Sequence, residues 1–303
     1  MKLVTFQHAE TISAGALLND ASVLDINAAY AANRKAANLH VEPPLASDLK
    51  HLLSQGGDAL SLVAELVETA RHQIQTSPGV HALSDVRLLA PIQNPQKIVA
   101  IGQNYRDHCA EQGVEPPKRP IIFAKFPTSI NDPNGMITWD PDLTAEVDYE
   151  AELAVVIGQK ARHVAQEDAF DYVAGYMNAN DVSARDLQFG DRQWVRGKSL
   201  DTFCPTGPYL LTKDEVADPH ALSIRSILNG TVMQDSNTSN LIFTIPFLIA
   251  FASRAFTLLP GDILLTGTPP GVGVFRNPKI LLKPGDTISI EVEKLGTLTN
   301  RVS

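Results

Sequence analysis

Cysteine is nearly missing from this 303-residue chain: Cys109 and Cys204 are its only two. Two cysteines build no disulfide framework, and no Cys-x-x-Cys or Cys/His cluster offers zinc a site. An excess of basic residues is missing too. Lys and Arg number 25 against 34 Asp and Glu, a net charge of −9, which argues against a nucleic-acid partner or an anionic membrane partner. No long apolar run is present; the richest, Ile245–Phe256, contains Pro246 and Arg254 and is too short to span a bilayer. The opening Met1-Lys2-Leu3-Val4-Thr5-Phe6 breaks at Gln7-His8-Ala9-Glu10, before the apolar segment of a secretory leader can form. A cytoplasmic enzyme is the expectation. What remains, 44% hydrophobic and 19% charged, describes an ordinary globular protein.

The stretch that organises the chain is Glu146-Val147-Asp148-Tyr149-Glu150-Ala151-Glu152-Leu153-Ala154-Val155-Val156-Ile157-Gly158. As a β-strand it puts Glu146, Asp148, Glu150 and Glu152 on one face and Val147, Tyr149, Ala151, Leu153, Val155 and Ile157 on the other. Four carboxylates on one face repel one another unless water or a cation relieves them. Past Glu152 both faces become apolar, as in a strand entering a core. Carboxylates at the mouth of a buried strand suit Mg²⁺, Mn²⁺ or Ca²⁺. Glu146 lies about 20 Å along the strand from Glu152 at about 3.3 Å per residue, too far to share an ion, and Asp148 is likewise expected outside the shell.

Residues 1–90 read as a small leading α+β domain, with strands at Leu3–Phe6 and Ser22–Ile26 and helices at Ala28–Ala37 and Leu60–Ile74. The proline-punctuated Leu88–Pro95 leads into residues 91–303. There short strands crowd together at Lys97–Ile101, Ile121–Phe126, Val147–Ile157, Ala174–Asn180, Pro208–Leu211, Ile224–Leu228, Thr231–Gln234, Asp262–Thr266 and Thr287–Val292. Asn229-Gly230 marks a type I′ hairpin. Helices are few, at Gln166–Val173 and Pro246–Phe256. The pattern is a mixed, mainly β core, not a βαβ repeat.

Several residues point to chemistry. Asp181 follows a strand and is either a helix cap or a third carboxylate beside Glu150 and Glu152. If its segment is helical, Arg185 and Gln188 share its face, an Arg fork and an amide suited to a substrate carboxylate. Lys198, after Gly197 and before apolar residues, is expected to be partly buried, where an ammonium stabilises a developing enolate. His108 and Glu111 stand one helical turn apart; a carboxylate beside an imidazole fixes the tautomer of a general base, while the alternative is a surface pair. Gly113 and Pro116-Pro117 bound that turn like hinges of a lid. Gly267-Thr268-Pro269-Pro270-Gly271-Val272-Gly273 lacks both the P-loop ending and the dinucleotide spacing; its amides and the Thr268 hydroxyl suit a carboxylate.

From Lys97 onward the chain resembles the fumarylacetoacetate hydrolase family. The resemblance rests on Asp148–Gly158, Asn180-Asp181-Val182-Ser183-Ala184-Arg185-Asp186 and Thr266–Gly273, in this order and spacing. Phe123-Ala124-Lys125-Phe126, Lys198–Pro205 and Gly271–Arg276 read most like one animal branch of it. The resemblance implies rolled mixed β-sheets with few helices and a homodimer. It assigns a metal to Glu150, Glu152 and Asp181, a general-base pair to His108 and Glu111 on a lid, and a substrate site to Arg185, Gln188, Lys198 and Thr268. The founding hydrolase has a further aspartate ligand upstream of its histidine, unmatched here, which points to the smaller acylpyruvase, decarboxylase and tautomerase relatives.

The first functional expectation is a Mg²⁺- or Mn²⁺-dependent hydrolase that cleaves C–C bonds of 2,4-dioxo acids through an enolate, with a small keto acid as substrate. The second is oxaloacetate enol–keto tautomerisation or decarboxylation. A third makes the ion a structural staple of a binding domain, against which the His108–Glu111 pair argues.

Overall fold

The computed structural model describes residues 1–40 and 44–303. Its spine is a 12-stranded sheet. Along the main path the order is Val80–Ala82, Ser22–Asp25, Thr11–Leu17, Lys2–His8, Cys204–Thr212, Val173–Asn180, Ala151–Ile157, Ile263–Leu265, Ile98–Gly102 and Ile121–Lys125. Arg87–Leu89 and Ile130–Asn131 pair off this path. A 5-stranded sheet runs Thr231–Asn237, Ser223–Leu228, Thr287–Val292, Thr297–Val302 and Met136–Ile137. The mixed, mainly β architecture is the expected one. Among the described residues no helix is long and apolar enough to cross a membrane.

Ala151–Ile157 lies mid-sheet between two antiparallel neighbours and is buried along its whole length, so both of its faces need apolar residues. Leu153, Val155 and Ile157 pack with Ile224, Ile288, Ile290 and Leu298 of the second sheet. Ala154 and Val156 face the other way, onto a core that includes Met177, Ala179, Leu49, Leu52 and Val63. The leading segment therefore contributes to the same cores and the same sheet: Lys2 and Leu3 pair with Leu211 and Leu210.

The expected helices form at Ile26–Ala36, where Asp25 caps the amide of Ala28, at Gly57–His72 and at Ile245–Ala255. Gln166–Tyr172 is a 3₁₀ helix. Asn229 and Gly230 both take positive φ, 51° and 81°, as a type I′ turn requires. Two expectations change. The strand read as Val147–Ile157 is broken at Tyr149–Glu150: Val147–Asp148 leaves the main sheet to pair with Ser183–Ala184. That pairing makes the segment after Asp181 extended, and the helix begins only at Arg185. Asp181 thus shares no helical face with Arg185 and Gln188.

Candidate metal and proton-transfer site

The break after Asp148 sends the chain across the end of the sheet, and there Glu150, Glu152 and Asp181 meet. All three are buried, and each offers an oxygen within 4.8 Å of the others. The three arrive from adjacent antiparallel strands, Ala151 lying opposite Asn180. The Asp181 amide donates to the Glu150 carbonyl (2.9 Å) and the Glu150 amide to Asn180 Oδ1 (2.9 Å), which fixes the crossing.

Two buried ammoniums face these carboxylates. Lys198 Nζ sits 2.8 Å from Glu150 and 2.9 Å from Asp181. It ends the short helix Val195–Lys198 and is fully buried, more enclosed than its sequence context suggests. Lys125 Nζ, at the end of Ile121–Lys125, reaches Asp181 at 2.6 Å and the carbonyls of Val182 and Lys198. Lys125 is a participant that sequence reasoning missed; its signal was a lysine closing an apolar strand. Burial would push the Glu150 carboxyl up, but Lys198 and Arg185 overcome it and hold it at about 2. Burial also opposes charge on Lys198, and Asp181 and Glu150 keep that ammonium above its ordinary range. Glu152 differs: burial, then Asp181 and Glu150, push its carboxyl well up, and a hydrogen bond from the Gly267 amide opposes this only in part. With the Arg185–Asp148 pair included, four carboxylates face three cations, which leaves negative charge in excess. All-oxygen donors in this number fit a hard divalent ion, and Glu152 is the carboxylate such an ion would neutralise.

Arg185 extends the network. Its guanidinium contacts Asp148 at 2.8–2.9 Å, Glu150 at 2.6 Å and Gln188 Oε1 at 2.9 Å. Nε and Nη1 of its fork are used inside the protein, where they orient Glu150 and turn the Gln188 amide, while the buried Nη2 lies 2.8 Å from Asp148 without a hydrogen bond. Both Asp148 oxygens are taken by Arg185 and the Tyr149, Gly273 and Val274 amides. Asp148 lies outside the three-carboxylate group, and Glu146 pairs with Lys279 at the surface (2.9 Å).

Beyond the carboxylates, the helix Arg106–Gln112 carries the second half of the site. His108 Nδ1 lies 2.8 Å from Glu111 Oε2, and the His108 ring is buried. The helix is tied at its start by Asp107, which accepts from Ser236 (2.6 Å) and Asn240 (3.0 Å). Gly113 ends it at φ 65°. Between the two halves is a cavity of about 140 Å³ lined by polar Gln103, His108, Gln112, Glu150, Arg185 and Lys198, with Gln188, Thr268 and aromatic rings completing the wall.

The Gly267–Gly273 loop does hold carboxylates, but they are the protein's own. Gly267 N donates to Glu152 (2.7 Å), Gly271 N to Glu111 (2.8 Å) and Gly273 N to Asp148 (2.8 Å). Gly267 and Gly271 take φ 106° and 101°, open to glycine, and a Cβ on Gly271 would run into the Met233 carbonyl. The Thr268 hydroxyl is engaged by Ala151 O and Gln234 (2.9 and 2.8 Å). Burial pushes both thiols up, Cys204 to about 12, so neither is a ready nucleophile.

The family model for the fumarylacetoacetate (FAA) hydrolase C-terminal domain matches residues 97–303, the span holding every residue named above. The chain belongs to the fumarylacetoacetate hydrolase family. Its relatives in the family include a protein of Xenopus laevis named oxaloacetate tautomerase fahd2, mitochondrial. The two are 46% identical over all of this chain and 90% of the relative, in agreement with the animal-branch motifs. Oxaloacetate tautomerase YisK of Bacillus subtilis is 37% identical over the whole of both. Among solved structures, a fumarylacetoacetate hydrolase from Exiguobacterium antarcticum superposes with a TM-score of 0.82 at 32% identity, covering 100% of this chain and 99% of that one.

Proposed function

We infer that this chain is a divalent-cation-dependent enol–keto tautomerase of small 2-oxo dicarboxylates, with oxaloacetate as the first substrate to test. The observation that carries the reading is the pairing of one His–Glu dyad with three converged carboxylates, His108 and Glu150 both lining the small cavity between them. About 140 Å³ is well below the roughly 300–1,000 Å³ of pockets for larger ligands and suits a four-carbon acid. The names of the Xenopus and Bacillus relatives support the same substrate.

A divalent ion, Mg²⁺ or Mn²⁺ with Ca²⁺ as a further candidate, would be held by Glu150, Glu152 and Asp181 and would supply polarisation of the 2-oxo group. The chain's own residues do the rest. His108 Nε2 takes a proton from C3 of the keto acid; the C–H pair becomes the C2=C3 bond, and the C2 carbonyl oxygen gains the negative charge. His108 then delivers that proton to the C2 oxygen, which completes the enol and restores the neutral imidazole, and the reverse sequence regenerates the ketone. Glu111 holds the opposite ring nitrogen and stabilises the positive imidazole. Lys198 offsets charge on the enolate oxygen, and Gln188, placed by Arg185, donates its amide toward the substrate. Thr268 shapes the wall.

Hydrolysis of 2,4-dioxo acids is the second reading, favoured by the same dyad, which is able to activate water. We further infer a homodimer, with no nucleic-acid or membrane partner. The cytoplasmic expectation stands beside the mitochondrial name of the Xenopus relative, and cell fractionation decides between them. Ultraviolet absorbance of the oxaloacetate enol, followed with Mg²⁺ and with EDTA, tests the main reading. Acceleration that EDTA abolishes and Mn²⁺ restores is expected; acetylpyruvate cleavage without enol acceleration would transfer the conclusion to hydrolysis.

A further inference from the structure

A chain of four hydrogen bonds runs through the His–Glu dyad and does not stop at it. Gln103 Nε2 donates to Gln112 Oε1 (3.2 Å), and Gln112 Nε2 stands 2.7 Å from His108 Nε2. His108 Nδ1 faces Glu111 (2.8 Å), whose other oxygen accepts from the Gly271 amide (2.8 Å). With Gln112 Oε1 accepting from Gln103, the Gln112 NH₂ faces Nε2. A carboxylate accepts, so Nδ1 carries the hydrogen toward Glu111, and in this orientation of the amides Nε2 holds a lone pair. Gln103 takes φ 53°, a left-handed backbone uncommon for a residue other than glycine and a type of strain that gathers at working sites.

We propose that Gln112, itself oriented by Gln103, is a positioning residue of the proton-transfer step. It holds the imidazole on the side opposite Glu111, in the orientation and tautomer that leave Nε2 free of a proton. The charged groups around the ring are Glu111 on its own helix and Glu150, Arg185 and Lys198 on the cavity wall. Among the described residues, the hydrogen bond to Nε2 comes from Gln112 alone. An amide serves this task because it donates; a carboxylate in its place accepts and invites a second N–H on the ring.

This inference deepens the tautomerase reading, so the test has one arm that needs no substrate. In ¹⁵N NMR of the full-length protein at neutral pH, wild-type His108 should show one protonated and one bare nitrogen. Gln112→Glu should show two protonated nitrogens, and Gln112→Leu one. With oxaloacetate, Gln112→Leu should lose about tenfold in kcat, the scale of one hydrogen bond, with KM within about twofold. Gln112→Asn, a shorter amide, should recover part of the loss. A Gln112→Glu spectrum like wild type, or wild-type kcat in Gln112→Leu, overturns the proposal. Absence of oxaloacetate turnover in the wild type counts against the functional reading alone, and the spectra still decide the role of Gln112.

Discussion

Glu152 is the residue whose charge the fold leaves least compensated, and its sign makes a prediction. Its folded-state pKa is raised, so its contribution to stability is present below the unfolded value and is lost as pH rises through the folded one. Glu152 alone should therefore weaken the metal-free protein as pH climbs toward neutrality, above the acid range in which the lowered Glu150 carboxyl acts with the opposite sign. Glu152→Gln keeps the shape and removes the charge. In EDTA, denaturant unfolding at neutral pH should find this variant at least as stable as wild type, while calorimetry should find its Mg²⁺ binding lost. A less stable variant in EDTA, or retained wild-type binding, refutes the account. Asp148 is the opposite case. It anchors Arg185 and three amides; Asp148→Ala breaks a buried ion pair and leaves Glu150 as the one carboxylate on the Arg185 guanidinium, at a cost of about 3 kcal/mol to be read by denaturant unfolding.

At the scale of elements, the helix Arg106–Gln112 presents its imidazole between two fixed points, Asp107 at its start and the Gly271–Glu111 bond near its end. His108→Ala should lower turnover by about 10²–10⁴ and leave Mg²⁺ affinity near wild type, since none of the three carboxylates bonds to it; a matching loss of both would place His108 in the metal shell. Leu153, buried in the central strand, should cost about 2–5 kcal/mol as Leu153→Ala in chemical denaturation. That strand was legible because burial on both faces writes itself as an unbroken apolar run. The break at Tyr149–Glu150 was not, because an apolar and acidic alternation continues through it and the partner strand, Ser183–Ala184, is only two residues long. Thr11–Leu17 also escaped notice, since Ala14, Gly15 and Ala16 carry little β-propensity. The carboxylates could be listed from the sequence. Lys125 left only the signal of a lysine closing an apolar strand, and Gln103 and Gln112 left none, because their partners lie across the fold or depend on how side chains turn.

For the whole molecule, the leading segment is an edge of the main sheet as well as a cover. Its Leu3, Leu24 and Val63 share a core with Ala154, Val156 and Met177. Removing residues 1–90 should bare the Cys204–Thr212 strand edge and that apolar face, giving aggregation or a lost cooperative melt in calorimetry; a soluble fragment with wild-type Tm would show that the segment is dispensable.

The glycine loop from Gly267 to Gly273 ties together three carboxylates from two separate parts of the chain. Because its amides fasten Glu152, Glu111 and Asp148 at once, any shift in it moves the ion site, the base and the Arg185 anchor together. Selection for a new substrate cannot adjust one of these through the loop without disturbing the others. The freedom to change substrate lies instead in the aromatic part of the cavity wall, at Phe189 and Trp194, whose side chains make none of those bonds. A laboratory library aimed at altered substrates therefore belongs at the aromatic wall, with the loop left as it is.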